Sequence, residues 1–156
     1  MYNALTTGDF EAARVIFSKR DELVRFSITK NCETALHIAV LGKSYMFVQY
    51  LMSLMTKEDM ELSNANGETT LYLVARGGDV ETATILIEKN KELMDIPDIH
   101  GRIPLEVAAL FGRHDMVEYL YNSSCNMTGK SWTNENRIWV LEKCVEADLF
   151  GKCLGI

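Results

Sequence analysis

Three histidines and four cysteines are the residues of this 156-residue chain best suited to hold a metal or act as a nucleophile. Their spacing argues against both. His37, His100 and His114 stand apart, none with a partner at zinc-ligand spacing. Cys32, Cys125, Cys144 and Cys153 contain no Cys-x-x-Cys pair and read as free thiols of a reducing compartment. Gly77-Gly78-Asp79 lacks the Gly-Lys-Ser/Thr ending of a phosphate-cradling loop. No Gly-x-Ser-x-Gly elbow presents a serine. Asn122-Ser123-Ser124 and Asn126-Met127-Thr128 fit the glycosylation acceptor pattern, a chance match in a protein kept inside the cell. No catalytic, metal or cofactor site is expected, so function must reside in surface.

The elements that present this surface repeat. Thr34-Ala35-Leu36-His37-Ile38-Ala39-Val40 recurs as Thr69-Thr70-Leu71-Tyr72-Leu73-Val74-Ala75 and as Ile103-Pro104-Leu105-Glu106-Val107-Ala108-Ala109, at intervals of 35 and 34 residues. A period of this length specifies an array of units that must stack, because none can bury its own apolar face. Nine residues after each start comes a helix break, at Lys43, Gly78 and Gly112. Second helices follow around residues 47–51, 82–86 and 116–120. One period before Lys43 lies Gly8, which places the end of a first helix in residues 4–7 and a second helix in residues 12–17.

Within a unit, Leu71, Val74 and Ala75 fall on one helix face. Ala39, Ala75, Ala108 and Ala109 are small enough for neighbouring helices to approach. Leu51, Leu86 and Leu120 close the core from the second helix. Met46, Met52, Met55 and Met60 are read as packing rather than as adaptable binding surface. Thr34 and Thr69 are placed as N-caps, and Gly78 and Gly112 as left-handed C-caps. Asn66-Gly67 and His100-Gly101 mark tight turns that need φ > 0. Cys32 stands where those glycines stand, so its turn is expected to be distorted. Lys43 replaces the inter-helix glycine, at a cost of about 1 kcal/mol if it is held left-handed.

Residues 122–136 are polar and read as a loop, with at most a short helical turn. Residues 138–145 read as an apolar helix. Ala147-Asp148-Leu149-Phe150 echoes Thr7-Gly8-Asp9-Phe10, which makes residues 137–156 part of a degenerate fifth unit. One domain over 1–156 is expected, with units at 1–28 (partial), 29–63, 64–97, 98–133 and 134–156 (degenerate and truncated). A start and a stop inside units point to a piece of a longer protein, whose uncapped ends would let copies self-associate.

Composition narrows the partners. Hydrophobic residues make up 47% and charged residues 24%, ordinary for a globular chain, and two prolines suit an all-helical one. A net charge of −6 argues against nucleic acid and anionic membrane as general partners. No apolar run approaches the roughly 20 residues that span a bilayer, so no direct membrane insertion is expected. No secretory leader is visible at the start.

The period and the broken Thr-Pro-Leu-His-x-Ala signature together resemble ankyrin repeats over residues 2–121. Thr34-Ala35-Leu36-His37 lacks the proline, and Ile103-Pro104-Leu105-Glu106 lacks the threonine and histidine. The resemblance implies an all-α solenoid of stacked helix-turn-helix units joined by short hairpin loops. It implies that His37 braces its turn by hydrogen bonding, with Tyr72 and Glu106 in its place elsewhere. It implies a non-catalytic scaffold for another protein, held by hairpin tips and by the concave face of the first helices. Carried over, the tips are Lys30, Asn31 and Glu33, then Ala65, Asn66 and Glu68, then Ile99, His100 and Arg102. The concave ends are Thr6 and Thr7, then Leu41, Arg76, and Leu110 with Phe111. The last two are apolar where the family is polar. They read equally as an interaction patch or as residues covered by the fifth unit or the loop before it.

A narrower resemblance, to plant ankyrin proteins with a C-terminal membrane region of PGG type, rests on residues 4–9, 33–39, 66–69 and 98–105. It implies a role in defence or stress signalling and a cytoplasmic location, at the cytosolic side of a membrane in a longer parent. The second functional class is a regulatory or ligand-sensing domain of a larger membrane protein, which would need an enclosed cavity with converging polar groups.

Overall fold

The computed structural model describes residues 9–124 and 132–146, and all regular elements among them are helical. The expected first helix at residues 4–7 and the echo at 147–150 lie outside the described residues. Helix α1 spans Phe10–Lys19. Helices α2 (Ala35–Leu41) and α3 (Tyr45–Leu54) form the next pair, followed by a single turn, α4 (Lys57–Met60). Helices α5 (Thr70–Gly77) and α6 (Val80–Lys89) form the third pair, and α7 (Pro104–Leu110) and α8 (His114–Ser123) the fourth. Helix α9 covers Asn134–Glu146.

The first helices α2, α5, α7 and α9 pack one against the next, and α3, α6 and α8 form a second row behind them. Between the rows the repeated apolar positions close: Leu36, Leu71 and Leu105, and Leu51, Leu86 and Leu120, are all buried. Each is worth about 1.5–3 kcal/mol relative to exposure. Ala39, Ala75, Ala108 and Ala109 lie buried between helices of neighbouring units, as their size requires. Met52, Met55 and Met60 are core, whereas Met46 is 76% exposed. Helix α1 joins the second row through the Phe10 and Phe17 rings, 4.8 and 6.4 Å from that of Phe47.

The second helices α1, α3 and α6 are each followed by one short turn: 3₁₀ at Asp21–Arg25, α4, and 3₁₀ at Lys91–Asp95. These turns seat Val24, Met60 and Leu93 in the core, a device the period alone did not reveal.

The expected distortion at Cys32 is absent. Cys32 adopts φ 59°, beside 72° at Gly67 and 79° at Gly101. Its N–H reaches the Thr29 carbonyl at 3.1 Å, as Gly67 reaches Asn64 and Gly101 reaches Asp98, both at 3.0 Å. The reason lies at the start of each turn. Side-chain oxygens of Thr29, Asn64 and Asp98 accept the N–H groups of Glu33, Glu68 and Arg102 at 3.2, 3.0 and 2.9 Å. These bonds set the turn, and the residue at its corner follows.

The far end also differs from expectation. Helix α9 begins at Asn134 rather than Ile138, because Thr133 and Asn136 cap it reciprocally: each accepts the other's N–H, at 2.8 and 3.2 Å. The preceding helix runs to Ser123, so the polar stretch is only partly loop. Trp132 and Val140 are buried.

Thr70 occupies the first helical position, where α7 has Pro104, and its buried hydroxyl has no hydrogen-bond partner. Thr69 before it is extended, with φ −79° and ψ 170°, which suits a residue preceding proline. Thr70→Pro should therefore raise stability by about 1 kcal/mol, by removing an unpaired polar group and stiffening the unfolded chain. Thermal denaturation followed by circular dichroism checks this, and a lowered melting temperature would contradict it.

Candidate protein-binding surface

The hairpin tips form a backbone-bonded row. Ala65 N–H donates to the Asn31 carbonyl at 2.9 Å, and Ile99 N–H donates to the Asn66 carbonyl at 3.2 Å. The approach is close enough that a Cβ on Gly67 would stand 2.7 Å from the Ile99 nitrogen. Side chains at one register position reinforce the row from below. His37 Nδ1 lies 3.3 Å from the Thr34 nitrogen and 2.8 Å from its hydroxyl, while Nε2 lies 3.1 Å from the Glu68 carbonyl of the next tip. Nε2 is thus assigned as the donor and Nδ1 as the acceptor. Tyr72 makes the same crossing by donating its hydroxyl to Asp98 at 2.8 Å. Glu106 turns back instead and accepts the Ile103 N–H at 2.8 Å.

Burial dominates the electrostatics of this row. It holds His37 below the ordinary imidazole range, and pushes the Glu106 carboxyl above its ordinary value. It pushes the Tyr72 phenol up to about 12, with the Asp98 hydrogen bond adding to the effect. Asp98 goes the other way. Its burial penalty is outweighed by N–H donors from Arg102 and His100, the Tyr72 hydroxyl and the Arg102 guanidinium, leaving it below the usual carboxylate range.

The expected tip residues divide accordingly. Lys30 and His100 are exposed, as is Asn66, and Asn31 is half-buried. Ile99 is 65% exposed, unusual for so apolar a side chain. Glu68 is not a surface residue. It is buried, accepting from Asn64 Nδ2 at 2.7 Å and Arg76 Nη1 at 2.6 Å. Arg102 is clamped to Asp98 at 2.8 Å, and Glu33 accepts the Thr29 hydroxyl at 2.8 Å. Arg76 is thus an ion-paired side chain rather than an unengaged cation.

Leu110 and Phe111 are 43% and 49% exposed, and Leu41 is 51% exposed. Leu41, Arg76 and Phe111 meet in an open cleft of about 340 Å³ at the far end of the first helices from the tips. The tip residues Lys30, Asn31 and Glu33 line a separate opening with Ile28 and Thr29. Lys43, Gly77, Asp79 and Arg113 also line the first cleft. They were not among the expected binding residues, although a lysine at a glycine position was the sequence signal that could have marked the place.

Residues 36–131 match the family described as ankyrin repeats (3 copies), and the chain belongs to that family. It is 26% identical over 125 residues to an ankyrin repeat protein of Rickettsia felis, covering 79% of this chain and 32% of the relative. Ankyrin repeat and SAM domain-containing protein 6 of Rattus norvegicus is 30% identical over 69 residues, covering 44% and 8%. Inversin of Canis lupus familiaris is 25% identical over 109 residues, covering 70% and 10%. The chain thus spans a third or less of the length of these curated relatives. Among solved structures, a chain from the yeast ribosomal protein Rps3 in complex with its chaperone Yar1 is similar, with a TM-score of 0.69 and 20% identity over 76% of this chain and 87% of that one. That likeness concerns the fold. Ankyrin repeats generally mediate protein–protein interaction.

Two expectations follow from the row of tips. Glu68→Ala leaves Arg76 and Asn64 without their acceptor and should cost about 1–3 kcal/mol, whereas Ile99→Ser should cost under about 0.5 kcal/mol. Equal melting temperatures for the two would place Glu68 back on the surface. For His37, a lowered folded pKa means that the unfolded state binds more protons, so its contribution is intact above the unfolded value near 6.5 and is lost as pH falls below it. Stability should fall as pH drops through about 6.5, and His37→Gln should flatten that fall. Glu106, raised by burial, contributes with the opposite sign, so Glu106→Gln should steepen any loss on acidification.

Proposed function

We propose that this ankyrin-repeat chain is a non-catalytic scaffold that binds another protein through its hairpin tips and the groove side of its first helices. One observation carries the reading. The stack buries the repeated leucines and alanines yet leaves Leu41, Ile99, Leu110 and Phe111 between 43% and 65% exposed at its tips and first-helix ends. Apolar side chains held open by a rigid scaffold are the usual anchors of a protein interface. The tip residues Lys30, Asn31, Asn66 and His100 supply polar rim. Glu33, Glu68, Arg76 and Arg102 act by fixing the shape of that rim. No helix of the described residues is long and apolar enough to cross a membrane. The proposal includes a cytoplasmic location, at the cytosolic side of a membrane if the parent carries one, and its support is the sequence resemblance. A role in plant defence or stress signalling is the narrower form of the proposal, and its support is the sequence resemblance at residues 4–9, 33–39, 66–69 and 98–105 alone.

The ligand-sensing alternative needs an enclosed cavity, and the clefts at the tips and at the first-helix ends open to solvent. Self-association is the further partner proposed, supported by Ile138 and Val145 at 57% and 49% exposure on α9.

The scaffold reading is tested by cross-linking and affinity capture from native tissue with the chain and with a Leu110→Ser, Phe111→Ser double variant. Both positions are exposed, so the helical signal should persist while capture of the partner drops roughly tenfold or more. Undiminished capture would remove these residues from the interface. Capture of nothing but the chain itself would favour self-association.

A further inference from the structure

The cleft at the far end of the first helices carries charge that the fold does not consume. Lys43 sits at φ 52°, where the other units have Gly78 at 79° and Gly112 at 62°. A non-glycine residue pays for that conformation, and strain of this kind concentrates at functional positions. Among the described residues, the Lys43 side chain gains no hydrogen-bond or ion-pair partner in return. Among the described residues no carboxylate comes within ion-pairing distance of Lys43 or Arg113. Arg113 is held at the cleft by one edge of its guanidinium and by its stem. Its Nε donates to the Arg76 carbonyl at 2.9 Å, and its Cδ lies 3.0 Å from where a Cβ on Gly78 would stand. The carboxylate lining the cleft, Asp79, caps α6, accepting the Thr82 N–H at 3.1 Å and its hydroxyl at 2.6 Å. Arg76 is neutralised by Glu68 at 2.6 Å. A chain of net charge −6 therefore presents here a local positive site beside two exposed apolar side chains, Leu41 and Phe111. Space exists between them. A Cβ on Gly77 would meet nothing within 4 Å, and the cleft holds about 340 Å³.

We propose that this cleft docks an acidic segment of a partner protein, with one large apolar side chain lodged over Gly77 and flanking carboxylates on Lys43 and Arg113. This rests on the scaffold reading and narrows it to one occupant. Charge complementarity selects the occupant: Lys43 and Arg113 outnumber Asp79 and have no carboxylate partner among the described residues, and Leu41 and Phe111 supply apolar walls.

The test titrates the isotope-labelled chain with the acetylated peptide Asp-Glu-Leu-Phe-Glu-Asp and follows backbone amide shifts. Two control peptides keep the length: one replaces every acid by lysine, the other replaces Leu-Phe by Ser-Ser. Shifts should centre on residues 41–43, 77–79 and 111–113 with the acidic apolar peptide, and affinity should fall several-fold between about 50 and about 200 mM salt. Two variants keep the fold. Lys43→Gly releases the left-handed backbone, so it should melt higher while binding roughly tenfold more weakly. Gly77→Phe places a ring in open space and should weaken binding at least as much. Equal binding of either control peptide, shifts centred on the hairpin tips, unchanged affinity in Lys43→Gly, or no shift with any peptide would each overturn the proposal. If the peptide fails here while the Leu110→Ser, Phe111→Ser variant still loses its tissue partner, the scaffold reading stands and this assignment alone falls.

Discussion

The first helix of each unit is apolar on more sides than its own hairpin can cover, and the next unit covers the remainder. That constraint orders the rest of the structure. Buried alanines between α2, α5 and α7 set how closely units approach. Once the helices are that close, the loops between units are forced into a row, near enough for Asn31 and Asn66 to accept N–H groups from the loop that follows. Loop backbone that would otherwise need water is satisfied by the neighbouring loop. His37 and Tyr72 then cross beneath the row from one unit to the next. Burial of helices and bonding of tips are therefore two results of the same stacking.

What the sequence made legible is what stacking repeats. Leucine and alanine recur because every unit meets its neighbour in the same way, and the period could be counted from them. The fate of a polar side chain at a tip is different, because it depends on two units at once. Glu68 looks like a loop glutamate in its own unit. It is buried because His37 from the unit before reaches its carbonyl and Arg76 from its own helix covers its carboxylate. Nothing in the local pattern carries that information. The one-turn segments bearing Val24, Met60 and Leu93 escaped for a related reason. Five residues or fewer give too short a window for periodicity to register. The first turn of helix α9 is polar, so apolar periodicity does not mark its start, which a Thr133–Asn136 cap fixes instead.

The second unit shows how strongly the stack dictates backbone conformation. It has no glycine at either left-handed position, yet Cys32 and Lys43 both take positive φ. At the inter-helix turn the bonds that follow are those of the other units: Ser44 N–H reaches the Ala39 carbonyl at 3.1 Å, as Asp79 reaches Val74 at 3.3 Å and Arg113 reaches Ala108 at 2.9 Å. Relaxing either residue would misdirect a helix whose two faces are already committed to neighbours. A penalty of about 1–2 kcal/mol per residue is small beside the burial it would disrupt. The two positions differ in what the side chain then meets. Cys32 is exposed at the corner of a tip whose turn is set by the Thr29 hydroxyl. Lys43 is delivered to a cleft that already contains Leu41, Phe111 and Arg113. A rigid array can thus hold a charged side chain in a conformation it would avoid alone, so that its position is decided by the units on either side rather than by its own preference.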